Sequence, residues 1–284
     1  PYSDKDFMSD WTFAVMDEYP NFNIVGEEWS ENPIVISYWQ KDKINHDGYV
    51  SYLPTLMDFP LQISFTEALL DDFNWGKGFI KPYKVLASDF LYPNPNNLLI
   101  FPDNHDMARF YTQVKNDIDL FKMGIVYYST MRGIPQFYYG TEILMNSDEN
   151  PGDHGLIRTD FPGGWIGDKI NAFNGDGLSI KQLETQKFFK QILNWRKNNN
   201  IIHNGKLIQF APKDGIYSFF RILENKMVWV IFNRNNSSKT LATSRFDELI
   251  ENHKSAFDVL NKKKISISEK LIINAKSALI LEIE

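Results

Sequence analysis

The 284 residues contain no cysteine, which excludes disulfide staples and thiolate metal sites together. That absence fits an oxidising or a reducing compartment equally. Positive charge is also scarce: 30 Lys and Arg stand against 36 Asp and Glu, for a net charge of -6 and a pI near 5.5. Such a balance argues against a nucleic-acid partner, because phosphate binding needs clustered cations. The one tight basic run, residues 262–264, reads as a hairpin turn. No apolar run approaches the ~20 residues that cross a bilayer, so no membrane span is expected. Fixed-period repeats and low-complexity tracts are missing too. No initiator methionine, basic n-region or apolar signal segment precedes Pro1, and the chain is expected to be cut from a longer protein.

What is present is the material of a large core. Hydrophobic residues make up 43% and aromatics 15%, the profile of a globular protein. From the start, Ser3 is placed to cap a helix to about residue 18, with Phe7, Trp11 and Val15 spaced four apart on one face. Residues 23–29 read as a short buried strand. Residues 53–59 (LPTLMDF) form a second, and 60–70 a helix with proline in its first turn. A helical stretch over 79–91 leads to a third strand at 98–104. A helix with Ile118, Phe121, Ile125 and Tyr128 on its apolar face leads to a fourth strand at 133–139. After a long Gly-, Asp- and Pro-rich segment, 140–177, comes an amphipathic helix over about 180–199. Strand and helix alternating four times predict a parallel sheet. Beyond residue 206, short runs rich in Ile, Val, Phe and Tyr are separated by turn residues, the spacing of an antiparallel all-β module. The domain boundary is placed at 202, giving domains 1–202 and 203–284.

The polar residues that stand out fall where predicted strands end. Glu27 follows the first strand, Asp58 lies in the second, FPDNHD (101–106) closes the third, and Tyr139 and Glu142 follow the fourth. In a β/α barrel those ends converge on one face, where active sites lie. Two carboxylates there, with a histidine and a tryptophan beside them and no thiol, suggest acid/base chemistry on a sugar. Glu27 can donate the proton to a leaving oxygen if apolar neighbours such as Trp29 desolvate it. Asp106 can supply charge against a developing oxocarbenium ion, and His105 can bond sugar hydroxyls.

At these residues a resemblance enters. IVGEEW (24–29), FPDNHD (101–106) and GIPQFYYGTE (133–142) resemble three ordered sequence blocks of the α-amylase family of glycoside hydrolases, found after strands five, seven and eight of a (β/α)8 TIM barrel. MDFPL (57–61) and DFPGGW (160–165) are similar to its neopullulanase and cyclomaltodextrinase branch. The resemblance implies the second half of a barrel followed by an antiparallel C-terminal β-sandwich domain. It implies Glu27 as general acid/base, with Glu28 standing where the family usually has an aliphatic residue, and Asp106 as the transition-state stabilising carboxylate. His105 becomes a contact to the sugar in the cleavage subsite, and Asn104, Trp29 and Arg158 are taken as further substrate-binding candidates. The family's nucleophile block, of the form GxRxD, does not occur in the 284 residues. The expectation is therefore a retaining α-glucan hydrolase fragment, inactive alone, that partners the other half of its barrel and otherwise associates through open strand edges, possible homo-oligomers included. Transglycosylation is the near alternative, and a non-catalytic glucan-binding protein the distant one. The resemblance points to a periplasmic or secreted protein.

Several assignments stay open from sequence. Asp103 is a capping or network residue, or else a sugar contact. Asp58 sits in a hydrogen-bond network or meets ligand, and Trp29 stacks on an acceptor sugar or packs. Tyr138, Tyr139 and Glu142 read as scaffold. His46, His154, His203 and His253 are scattered without metal-ligand spacing and read as surface or loop residues. No cofactor is required. Asp148, Glu149, Asp153 and Asp160 either hold Ca²⁺ through oxygen ligands or form a solvated acidic loop, with Arg158 and Asp160 pairing at the cleft rim as a further possibility.

Overall fold

Residues 4–72 and 74–283 are described by a computed structural model. The first helix, α1 (Lys5–Glu18), is capped by Asp4, whose carboxylate accepts the Phe7 N–H at 2.8 Å; the cap expected from Ser3 lies outside the described residues. Two-residue strands follow in order: β1 (Val25–Gly26), β2 (Thr55–Leu56), β3 (Leu99–Ile100) and β4 (Ile134–Pro135). β1 runs parallel to β2, a parallel bridge from Met57 to Leu99 links β2 to β3, and β3 runs parallel to β4. The result is an arc of four parallel strands in sequence order. Its inner strands β2 and β3 are buried, whereas Val25 of β1 and Ile134 of β4 are 41% and 37% exposed.

Helices fill the connections: α2 (Pro33–Ser37), α3 (Phe59–Leu70), α4 (Ile80–Ala87), α5 (Phe110–Gln113) and α6 (Ile118–Thr130). The predicted 79–91 helix is interrupted at Ser88 and resumes as a 3-10 turn at Asp89–Leu91. Asp58 is not a strand residue. Its side chain caps α3, accepting the Leu61 N–H at 3.1 Å, and is fully buried against Arg132. Beyond β4 come α7 (His154–Ile157), α8 (Ile180–Lys197) and α9 (Asn200–Asn204). A capping box between Ser179 and Gln182 starts α8.

The remaining strands are β5 (Lys206–Lys213), β6 (Ile216–Leu223), β7 (Lys226–Asn233), β8 (Lys239–Ala242), β9 (Ser255–Asp258), β10 (Lys263–Ser266), β11 (Lys270–Ile273) and β12 (Ser277–Ile283), with α10 (Asp247–Ile250) between β8 and β9. They form a six-stranded antiparallel sheet in the order β10-β9-β12-β7-β6-β5 and a β8-β11 pair. The basic run splits: Lys262 sits in the β9-β10 turn with φ of 53°, and Lys263 and Lys264 enter β10.

The packing of β7 explains why its sequence is apolar between Lys226 and Asn233. Val228, Val230 and Phe232 pack with α3, α6 and α8, while Met227, Trp229 and Ile231 join the opposite core with Phe246 and Leu271. A strand alternates its side chains, so one covered on both faces needs no polar positions. In the first core Phe65 of α3 stacks on Tyr127 of α6 with centroids 3.6 Å apart. Cations meet the last carbonyls of α6: Arg196 donates to Ser129 O at 2.8 Å and Arg221 to Thr130 O at 3.2 Å. Among the described residues no helix is long and apolar enough to cross a membrane.

Candidate active site

The carboxyl ends of all four arc strands lie on one edge, which follows from their parallel pairing. Gly26 ends β1 because nothing larger fits: an added Cβ would lie 2.5 Å from Leu53 Cδ2 and 2.8 Å from Leu56 Cδ2, both on buried side chains. This contact delivers Glu27 at the edge with its side chain exposed. Its neighbour Glu28 is partly buried, and its Oε2 accepts the Trp39 indole N–H at 3.0 Å. Trp29, expected to cover Glu27, lays its ring on Phe59 with centroids 4.4 Å apart and stays 51% exposed. Phe59 in turn meets Phe101 edge-on at 5.1 Å. An aromatic ladder thus joins the segment after β1 to the segment after β3.

That second segment holds Asp106. Asn104, 3% exposed, turns its Oδ1 back to accept the Asp106 N–H at 2.8 Å, and its buried Nδ2 has no partner among the described residues. His105 Nε2 lies 3.2 Å from Asp106 Oδ2. From the long loop, Arg158 donates to Asp106 Oδ1 and, through Nε, to His105 O at 2.9 Å. His154 Nδ1 sits 3.5 Å from Asp106 Oδ1 and 2.6 Å from Arg158 Nη2. Arg158 therefore pairs with Asp106 and not with Asp160. His154 is a site neighbour that its scattered position in sequence concealed. The available signal was its spacing of four from Arg158, which puts both on one side of a helical turn.

Beneath this cluster lies Asp103, fully buried, accepting the Phe110 N–H at 2.7 Å and lying 3.3 Å from Thr141 Oγ1. Its role is that of a network residue. Arg109, also fully buried, rests on the Tyr138 ring at 4.1 Å and donates to Tyr139 O, so these tyrosines are scaffold. Burial pushes the Asp103 carboxyl up to about 6 from its ordinary 3.8, against the pull of the Phe110 N–H, Arg109 and Thr141. The folded chain thus holds this proton more tightly than the unfolded chain does. Asp103 should cost the fold about 3 kcal/mol as pH rises from about 4 to about 6, with no further loss above. Asp103→Asn should remove that slope in urea titrations at pH 4 and 7; a slope unchanged by the substitution would refute the assignment.

No three His, Asp or Glu side chains gather to hold a metal among the described residues. Two of the four acids of the long loop have protein partners: Asp148 accepts from Thr112 and Asn116, and Asp153 caps α7.

Two families match in succession along the chain. Residues 2–205 match the family described as alpha amylase, catalytic domain, and residues 207–282 match the cyclo-malto-dextrinase C-terminal domain. A cyclomaltodextrin glucanotransferase of Geobacillus stearothermophilus is 26% identical over 243 residues, 84% of this chain and 30% of that protein. A cyclomaltodextrinase of Thermoanaerobacter pseudethanolicus is 24% identical over 270 residues, 93% of this chain and 40% of that protein. Among solved structures, an alpha-amylase from Geobacillus thermoleovorans complexed with acarbose superposes with a TM-score of 0.78 at 20% identity, covering 100% of this chain and 58% of that one. The chain spans less than half the length of both sequence relatives. The fold is that of the second part of a TIM-barrel enzyme with its C-terminal antiparallel sheet.

Proposed function

Because this chain belongs to the α-amylase family, we propose that it carries two arms of a retaining α-glucan glycosidase, the general acid/base Glu27 and the transition-state carboxylate Asp106. The observation that supports this reading best is their delivery to one edge of the parallel arc, with the segments that bear them joined through Trp29, Phe59 and Phe101. Glu27 is the better acid of the adjacent pair, since Glu28 is engaged by the Trp39 indole. As a sugar enters, Glu27 protonates the departing glycosidic oxygen, and Asp106 stabilises the positive charge spreading over the ring oxygen and anomeric carbon. His105, with its side chain exposed beside Asp106, offers a donor to hydroxyls of that sugar, and Asn104, which holds the Asp106 backbone beneath it, is the second polar contact proposed there. Arg158 holds Asp106 and lies at the rim, where it contacts substrate.

A retaining mechanism also needs a nucleophile about 5 Å from the acid, and no GxRxD-like block occurs in the sequence. The proposal assigns that group to a complementary barrel half seated against β1 and β4, with residues 1–202 as the barrel part and 203–284 as the C-terminal domain. The exposed edge residues Val25 and Ile134, and Phe7, Trp11 and Phe13 of α1, support such a seat.

The 284-residue chain alone should release no reducing sugar from maltooligosaccharides, cyclodextrins or pullulan, and should gain that activity when a barrel half bearing the nucleophile is supplied. Hydrolysis with retention by the purified chain would overturn the assignment. Transglycosylation is a second reading, favoured by Trp29: one face is stacked on Phe59 and half the residue remains open to an acceptor sugar.

A further inference from the structure

Away from the proposed active site, a cleft of about 1440 Å³ lies between the loop joining α3 to α4 and the edge of the C-terminal sheet. None of its lining residues belongs to the site described above. The loop is shaped at Gly78, whose φ of 71° lies in the left-handed region that favours glycine and whose N–H donates to Asp71 at 2.9 Å. It presents Trp75 fully exposed at the cleft.

The cleft is basic in an acidic chain. Lys77, Lys84, Lys213, Lys239 and Arg245 line it, and Asp214 is its one carboxylate among the described residues. None of these five cations stands within ion-pair distance of a carboxylate among the described residues, whereas Lys5, Lys81 and Lys276 elsewhere are each paired. Asp71, behind the loop, is taken by Lys81 at 2.8 Å. Arg234 forms the floor: it is buried and donates to the backbone oxygens of Ala68 and Asp71. Unneutralised cations gathered in a concave site concentrate field and favour a multiply charged anion. A bare indole supplies a flat apolar face of the kind that covers a pyranose ring or a base.

We infer that this cleft binds a phosphorylated α-glucan, its phosphate groups held by the lysines and Arg245 and a sugar ring stacked on Trp75. The sugar half of the inference rests on the α-glucan reading above; the phosphate half stands on the charge distribution.

The test uses the 284-residue chain immobilised on a biosensor, with neutral maltoheptaose, maltoheptaose carrying 6-phosphates, inorganic tripolyphosphate and AMP as probes. The phosphorylated dextrin should bind about ten-fold or more tighter than the neutral one, in line with charge-assisted contacts to phosphate. Lys213→Glu combined with Lys239→Glu should abolish that preference; Lys213 is exposed and Lys239 half-buried, and neither belongs to a hydrophobic core cluster. Trp75→Ala should weaken the phosphorylated dextrin about ten-fold by loss of ring stacking and leave tripolyphosphate unchanged. Equal affinity for the neutral and phosphorylated dextrins, or indifference to the charge reversal, overturns the proposal. AMP or tripolyphosphate binding as tightly as the phosphorylated dextrin overturns its sugar half. Failure of neutral maltoheptaose to bind anywhere on the chain would count against the α-glucan reading and the sugar half that rests on it, whereas the charge-dependent phosphate half would survive.

Discussion

Arg132→Met is expected to lower the stability of the folded chain by about 3–5 kcal/mol, because it strands a buried carboxylate without its counter-charge. The guanidinium is 2% exposed and carries three short contacts: Nη1 to Asp58 Oδ2 at 2.6 Å, Nη2 to Asp89 Oδ1 at 2.6 Å and Nε to Asp89 Oδ2 at 2.8 Å. Burial works against its charge, but Asp89 and Asp58 more than offset that and hold it protonated. Methionine replaces much of the stem, so the loss is electrostatic and not a cavity. Asp58, 0% exposed, would remain ionised against nothing, or take up a proton at a similar cost. The double variant Asp58→Asn/Arg132→Met should recover a large part of the loss, since an intact buried pair is worth little over a neutral replacement. Asp89, whose side chain is 20% exposed, can turn to water. Urea unfolding of the two variants decides the matter, and a single-variant loss below about 1 kcal/mol would sink the account.

The second large effect concerns Glu27. With the barrel completed, Glu27→Gln should reduce hydrolysis of maltooligosaccharides by about 10²–10⁴-fold, the usual contribution of a positioned proton donor. The same variant should lose far less on a maltosyl fluoride, whose leaving group departs without protonation. Asp106→Asn should damage both substrates, because charge stabilisation is needed whatever leaves. Glu28→Gln keeps the shape that meets the Trp39 indole and should leave the ratio between the two substrates unchanged. If Glu28→Gln shows the leaving-group dependence and Glu27→Gln does not, the roles of the adjacent acids are reversed.

Much of this site could be read from the chain because strand ends are local features. An apolar run followed by a polar cluster announces where a buried strand meets solvent, so Glu27 and Asp106 were visible together with the alternation that brings them to one edge. The clamp on Asp106 was not visible in the same way. Arg158 and His154 reach it from about fifty residues further along the sequence, and no periodicity records where a Gly- and Asp-rich loop lays its side chains. Asp58 misled for a related reason: LPTLMDF is apolar enough to read as strand throughout, yet pairing with Arg132, 74 residues on, makes Asp58 the cap of α3. Strand lengths were overestimated as well. Each arc strand is two residues long, because the apolar neighbours that suggested longer runs pack into the core without joining the ladder.

The core shared by α3, α6, α8, β6, β7 and β12 has a consequence for how the chain comes apart. Tyr217, Phe219, Val230 and Phe232 of the sheet lie in one cluster with Phe65, Phe121, Tyr127 and Ile192 of the helices, and Arg221 and Arg234 reach across to backbone carbonyls on the helical side. A change of architecture near residue 205 is thus not a line of mechanical weakness. Amide hydrogens of α6 and β7 should exchange with solvent in a single cooperative opening, and a cut made at the sequence junction would expose apolar surface on both products.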